Sequence, residues 1–276
     1  MPSTAISIGS SVPALDRSVN VIDCLASARQ ALSLATITKE LGIPKSSAHN
    51  IMGSLVQHGL ARKDQEGNYS LGAKVIEWGS AFSKGSNIMS AFEMAMNASS
   101  NLSSETVMLA ILDNTEVTYL ACHPGTRPLA VNFRVGGRFT ASCTSSGKAI
   151  LSSWTDIEIK QLYANCTDQL HQSGKLHKLT RHSLSAVSQL CKQMVVIRQK
   201  AYAIDDEETA EGMQCFGAPV FAAASQKAVA GVAVSLIKAS ITPRRRKEII
   251  SAIMALARDV SERLAAQKAG ENDAQR

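Results

Sequence analysis

Two different spacings of apolar residues divide the chain. Between residues 14 and 58 they recur every three to four positions. Leu15, Val19, Ile22 and Leu25 with Ala26 trace one helix face over about 14–28, with Asp16 in its first turn. "LATITKEL" continues the pattern as a second short helix that should stop at Gly42, and Pro44 can open a third that runs to about His58 before Gly59. "LARKDQEGNYSLG" then reads as strand, turn and strand, with Glu66-Gly67-Asn68 as the turn. From residue 105 the pattern moves toward strands: "TVMLAILD" and "EVTYLACH" flank an Asp113-Asn114 turn, and "LAVNF", "CFGAPVF" and "AVAGVAVSLI" add more. Helical spacing at about 146–164, 185–202 and 243–267 lies among and after them. Strands with segregated helices predict an α+β domain behind a helical one. Residues 1–11 and 269–276 lack periodicity and are expected to be disordered tails.

Helix, short turn with glycine, helix and hairpin is the layout of a winged helix-turn-helix. At 100° per residue, Ala48, Ile51, Met52 and Leu55 gather on one side of the third helix. Ser46, His49, Asn50, Gly53, Ser54 and Gln57 occupy the other. Small uncharged polar side chains suit a major groove, where they reach base edges, and Gly53 lets the backbone come close. The bland alternative is the polar outside of any surface helix. The following hairpin favours the first reading, because Arg62, Lys63 and Tyr69 would lie where a wing meets phosphates.

Composition narrows the class. The chain has 276 residues, 45% of them hydrophobic, enough for two domains with cores. No signal-like start or long apolar run is present, so a cytoplasmic protein is expected. Six cysteines occur without a Cys-x-x-Cys pair, so neither a metal site nor a redox motif is expected, and no cofactor. Net charge is +6, yet residues 1–75 carry only seven Lys/Arg against five acids, so nucleic-acid binding rests on geometry rather than bulk charge. Arg244-Arg245-Arg246-Lys247 after Thr242-Pro243 reads as a solvated helix start.

One stretch invites a nucleotide reading. "CTSSGKAILSS" contains Gly147-Lys148, but a phosphate-binding loop needs Gly where Ser142 stands and a hydroxyl where Ala149 stands. What survives is a loop of small residues, Thr144-Ser145-Ser146-Gly147, before an apolar helix, where free N–H groups could hold a carboxylate. A plain Ser N-cap competes with that reading. Lys148 reads either as a second charge for a ligand or as a solvent-facing side chain in the first turn. In "IDDEETAEGMQC" four consecutive acids would repel if packed together, so Asp206 and Glu208 are expected to face water. Ser235, in an otherwise apolar strand, needs a partner for its hydroxyl.

Taken in order, "PALDRSVNVIDCLA", "LGIPKSSAHNIMGSLVQHGL" and "GNYSLGAKVIEWG" resemble the winged helix-turn-helix of the IclR-type bacterial transcription regulators. "GKAIL", "YAIDDEETAEGMQCFGAPVF" and "AVAGVAVSLI" resemble that family's effector domain, so the resemblance covers about residues 12–268. It implies a DNA-binding domain at 12–74, with the helix-turn-helix at 34–53 and the wing at 60–72. A linker helix at 75–88, carried by "LGAKVIEWGSAFS", would lead to an effector and oligomerisation domain at 89–268, an α/β sensor-like (GAF-like) fold with an antiparallel sheet. DNA contacts would come from Arg17, Lys45, Ser46, Ser47, His49, Asn50, Ser54, Arg62, Lys63 and Tyr69. Effector contacts would come from Thr144, Ser145, Ser146, Gly147, Asp205, Met213, Cys215 and Ser235. Asn50 stands where the family often has Arg, which would exchange a guanine contact for an adenine contact. Of two hydroxyl positions in the last strand, Ala233 has lost its oxygen and Ser235 keeps it.

The implied function is a sequence-specific transcription regulator, a dimer or tetramer on a near-palindromic operator, controlled by a small organic acid or aromatic metabolite. Two other classes compete with it. A hydrolase would use Cys215 or Cys143 with a base among His123, His171, His177 and His182, although no motif ties these together. A DNA-binding scaffold would need no ligand.

Overall fold

The computed structural model of the protein describes residues 12–126, 133–166, 173–223 and 225–274, with side chains to residue 267. Expectations that fall elsewhere, namely the tail at 1–11, most of the "LAVNF" strand and His171, lie outside the described residues. The chain divides into two compact units, Met1–Gly85 and Ser86–Arg276.

In the first unit α1 spans Pro13–Ser27, α2 Leu34–Leu41 and α3 Lys45–Gln57. The Ser33 hydroxyl accepts the Thr36 N–H to cap α2, and Gly42, left-handed at φ 62°, ends it. Strands β1 (Ala61–Lys63) and β2 (Tyr69–Leu71) pair antiparallel, and Leu32 bridges to Tyr69, so the wing is tied to the loop before α2. The wing turn takes in Asp64 and Gln65 as well as Glu66-Gly67-Asn68. The Asp64 carboxylate accepts the Asn68 N–H at 2.8 Å, and Gly67 takes φ 87°. The core of this unit joins Val21, Leu25, Ile37, Met52, Leu55, Ala61 and Tyr69.

On α1 the expected apolar face is corrected. Val21 and Leu25 are buried, whereas Leu15 is 60% and Val19 47% exposed. The helix carries two apolar stripes, and α2 and α3 cover the one that holds Val21. Helix α4, Lys74–Lys84, ends at Gly85 rather than at 88, and a separate helix α5, Asn87–Ala98, follows it. Three large apolar side chains on α4, Ile76, Trp78 and Phe82, are exposed.

The second unit is built on a six-stranded antiparallel sheet in the order β5-β4-β3-β8-β7-β6. Its strands are β3 Thr106–Asp113, β4 Glu116–His123, β5 Arg138–Thr140, β6 Ala203–Asp206, β7 Met213–Phe221 and β8 Ala228–Ile237. Asn114, at φ 54°, makes the expected turn between β3 and β4. The expected helix at 146–164 is two helices, α6 Ser145–Leu151 and α7 Asp156–Ala164. A capping box of Thr155 with Glu158 restarts the second. Helix α8 spans Val187–Lys200, and α9 runs from Pro243 to Ala274, past the point where a tail was expected. Ala269, Glu271 and Ala274 favour the helix, which continues through Gly270, Asn272 and Asp273 in spite of their poor propensity.

Period-two alternation assigns each strand residue to a side of the sheet. Phe216, Ala218, Val232, Val234 and Leu236 pack with α5 and α9. Met213, Cys215 and Ala233 face the core that includes Ala149, Ile150 and Leu151 of α6 together with α7 and α8. Glycines on β7 and β8 let α6 lie directly on the strands: a Cβ at Gly217 would stand 2.6 Å from the Ser145 carbonyl, and one at Gly231 2.6 Å from the Ser146 carbonyl oxygen. The basic run at the start of α9 is only partly solvated. Arg244 is exposed, but Arg245 reaches the buried Glu105 at 2.8 Å and the Arg246 guanidinium sits over the Phe216 ring.

Candidate functional site

Two groups of residues carry the chemistry, one in each unit. On α3, Ala48, Met52 and Leu55 are buried, while Lys45, Ser46, His49, Asn50, Gly53, Ser54 and Gln57 are exposed and Ser47 is partly covered. Helical spacing therefore places a continuous polar face, free of carboxylates, on the second helix of a helix-turn-helix. Gly53 lies in the middle of it, and a Cβ added there would meet nothing within 4 Å. Arg17 on α1 is exposed, as are Arg62 and Lys63 on β1. Arg62 donates to the Ser70 hydroxyl at 2.8 Å, which holds its guanidinium along the wing.

Tyr69 is a correction. It is 5% exposed and belongs to the core of the unit, with the Lys63 ammonium 5.5 Å from its ring centre, so its place is packing rather than phosphate contact. Alternation along β2 turns its ring inward.

In the second unit the sheet register assembles what the sequence separates. Asp205 on β6 is paired with Cys215 on β7, and Cys215 with Ser235 on β8, so three candidate side chains stand in one row across three strands. Cys215 Sγ and Ser235 Oγ are 3.1 Å apart. Asp205 Oδ1 accepts the backbone N–H groups of Glu208 at 2.8 Å and Thr209 at 3.1 Å. Over this row lies the start of α6. Thr144 caps it by accepting the Gly147 N–H at 3.1 Å, and a Cβ at Gly147 would stand 2.4 Å from the Ala141 carbonyl oxygen. Thr144 and Gly147 thus already have structural duties. The Ser145 hydroxyl is buried without a hydrogen-bond partner among the described residues, and the Ser146 hydroxyl lies beside that of Tyr119. Met213 is buried on the same side of β7 as Cys215.

Lys148 and Glu208 are corrections of a second kind. Lys148 is 0% exposed and its ammonium meets Glu208 Oε1 at 2.5 Å and Gln193 Oε1 at 3.2 Å. Glu208, expected to face water, is buried, and its other oxygen, Oε2, has no hydrogen-bond partner among the described residues. Asp206 is exposed as expected and pairs with Lys238. The signal for Lys148 was present in the chain: between Phe139 and Thr155 it is the sole charged residue, and a lone charge in so long an uncharged run belongs in a core with a partner. Nothing local singled out Glu208 from its acidic neighbours.

Burial dominates the titration of this group. It pushes Glu208 up to about 7 despite the opposing pull of Lys148, and it raises Asp205 against the hydrogen bonds from Thr209 and Glu208. The Cys215 thiol is held well above its ordinary value by burial and then by Asp205, and Cys143 is raised by burial. That is the reverse of nucleophile activation. Cys143 contacts the backbone carbonyl of His177, not its imidazole.

Two family models match the chain: the IclR helix-turn-helix domain over residues 14–65 and the bacterial transcriptional regulator IclR C-terminal domain over residues 81–262. The chain is 27% identical to the HTH-type transcriptional regulator BhcR of Paracoccus denitrificans, over 94% of this chain and 90% of that one. It is 29% identical to the Agrobacterium tumefaciens repressor BlcR, whose crystal structure superposes with a TM-score of 0.56 over 94% of this chain and 99% of that one. An IclR homologue from Microbacterium hydrocarbonoxydans, crystallised with 4-hydroxybenzoate, shares the fold with a TM-score of 0.75 at 16% identity, covering 91% of this chain and 98% of that one.

Proposed function

The chain belongs to the IclR family of bacterial transcriptional regulators, and from that premise we propose that it controls an operon through the polar face of α3 and releases or remodels that contact when a small acid occupies the Asp205–Cys215–Ser235 row. The observation that carries this reading is the pairing of a carboxylate-free, exposed recognition face in one unit with a buried, incompletely hydrogen-bonded polar cluster in the other. Asn50 reads adenine through its amide, Ser46, His49 and Ser54 complete base contacts, and Arg17, Lys45, Ser47, Arg62 and Lys63 hold phosphates. Thr144 to Gly147, Met213, Cys215 and Ser235 line the effector's seat. The effector class is a small organic or aromatic carboxylic acid, in keeping with the 4-hydroxybenzoate held by the Microbacterium homologue.

Two copies of the chain read the operator. Leu15 and Val19 on α1 and Ile76, Trp78 and Phe82 on α4 leave apolar surface exposed on the DNA-binding unit for a second copy to cover, in keeping with the paired half-sites that dimeric helix-turn-helix proteins read. Replacing Trp78 and Phe82 together by Glu is expected to halve the mass in solution and to weaken DNA binding. An unchanged mass would place the interface elsewhere.

The test of the whole reading is a selection of bound duplexes from random-sequence DNA, followed by release with a panel of carboxylates. Failure to enrich any sequence would sink the regulator reading. Enrichment without release by any acid would leave a DNA-binding scaffold.

A further inference from the structure

The charge arithmetic of the buried cluster has a consequence for how an acid can enter it. Within the group stand one ammonium, Lys148 on α6, and two carboxyls, Asp205 on β6 and Glu208 in the turn after it, all more than nine-tenths buried. Around Glu208 the other groups that face it are the Cys143 thiol, from the segment before α6, and Gln193 on α8, which shares the Lys148 ammonium and carries no charge. Cys215 on β7 adds a thiol beside Asp205. Lys148 is thus already balanced by Glu208, and Asp205 leaves the group one negative charge in excess. A carboxylate arriving beside it would add a second uncompensated charge in a dry site, which is too costly without a partner.

The two carboxyls are not equally able to relieve that excess. Asp205 accepts two backbone N–H groups and the Cys215 thiol, interactions that favour its ionised form against the burial that raises it. Glu208 has one oxygen on Lys148 and the other, Oε2, without a hydrogen-bond partner among the described residues, although the Asp206 backbone N–H also favours its charge. Protonation there would cost no existing hydrogen bond.

We infer that an anionic effector binds together with one proton, which is taken up by Glu208 while Lys148 turns part of its charge to the incoming carboxylate. This rests on the effector reading given above. Glu208 is suited to the exchange because burial already brings it to about 7, so the proton is available from neutral solution. Above that value effector affinity falls about tenfold per pH unit, the slope of a one-proton linkage.

Two measurements test it on the full-length protein. The first follows the side-chain carboxyl carbon of Glu208 by NMR after 13C-glutamate labelling, its resonance identified by its loss in Glu208→Gln. A midpoint near 7 is expected; titration in the ordinary carboxylate range, below about 5, overturns the inference without any ligand. The second measures the rise in Tm produced by acetate, glycolate, succinate and 4-hydroxybenzoate at pH 6.5 and 8.5. Acids that bind should stabilise the wild type more at pH 6.5, and Glu208→Gln should remove the difference. Calorimetry of the binding acid in phosphate and in Tris should give an uptake approaching one proton at pH 8. A stabilisation equal at both pH values overturns proton coupling and leaves the effector site standing. Acids that leave Tm unmoved at every pH overturn the effector reading, and this inference with it.

Discussion

Cys215 Sγ and Ser235 Oγ face each other across β7 and β8 at 3.1 Å, twenty residues apart in the chain and both closed off from solvent. Each is a polar group in an otherwise apolar stretch of strand, and each satisfies the other. Ser235→Ala leaves the thiol with Asp205 as a partner and removes one group from the proposed effector seat. The expected result is a loss of effector response of tenfold or more, with ligand-free DNA affinity within about twofold of wild type. Equal loss of both would mean a structural role instead.

Asn50 and Arg62 should fail in different ways. A bidentate base contact discriminates by about 1–3 kcal/mol, so Asn50→Ala is expected to weaken the selected operator by that amount and to relax base preference at one position. Arg62→Ala should weaken all duplexes alike and reduce the slope of log affinity against log salt by about 1. Binding titrations over a range of salt, on the operator and on single-base variants, separate the two outcomes.

Gly53 costs α3 stability and gives nothing back inside the chain. Glycine in a helix interior is about 1 kcal/mol worse than alanine, and no neighbour lies where its Cβ would be. Gly53→Ala is therefore expected to raise the Tm of the DNA-binding unit while lowering operator affinity, because the added methyl stands on the face proposed to meet the groove. If both rise together, DNA does not approach that position.

Removing the Lys148 ammonium strands a buried carboxyl. Lys148→Met is expected to cost about 3–5 kcal/mol at pH 8, the cost of breaking a buried pair from one side. The sign of the pH effect follows from Glu208. Its carboxyl is raised from 4.5 to about 7 in the folded protein, so the folded state holds the proton more tightly. That preference stabilises the fold fully below about 4.5 and is lost as pH rises through about 7. Without Lys148 the carboxyl moves higher still, so the deficit should shrink when denaturation is repeated at pH 5.5. A deficit that grows on acidification would contradict the assignment.

Local chemistry was legible in the chain because local rules decide it. The 3.6-residue spacing and Gly42 placed α2 over the residues it occupies, and α3 buries Ala48, Met52 and Leu55 as its spacing requires. Turn residues and β-branched runs placed β3, β4 and β8. Family motifs supplied Asp205, Cys215 and Ser235 as separate positions. Three-dimensional packing decided the rest, since it sums contacts that no short window contains. On α1 the helical period allowed two apolar stripes, and only α2 and α3 chose the one with Val21, leaving Leu15 and Val19 outside. Tyr69 turned into the core because the wing folds back on Leu32. Strand register brought Asp205, Cys215 and Ser235 into one row, and it fixed which side of the sheet they share. Burial of Lys148 was settled by Glu208, sixty residues away, which supplies the countercharge that makes a dry ammonium tolerable.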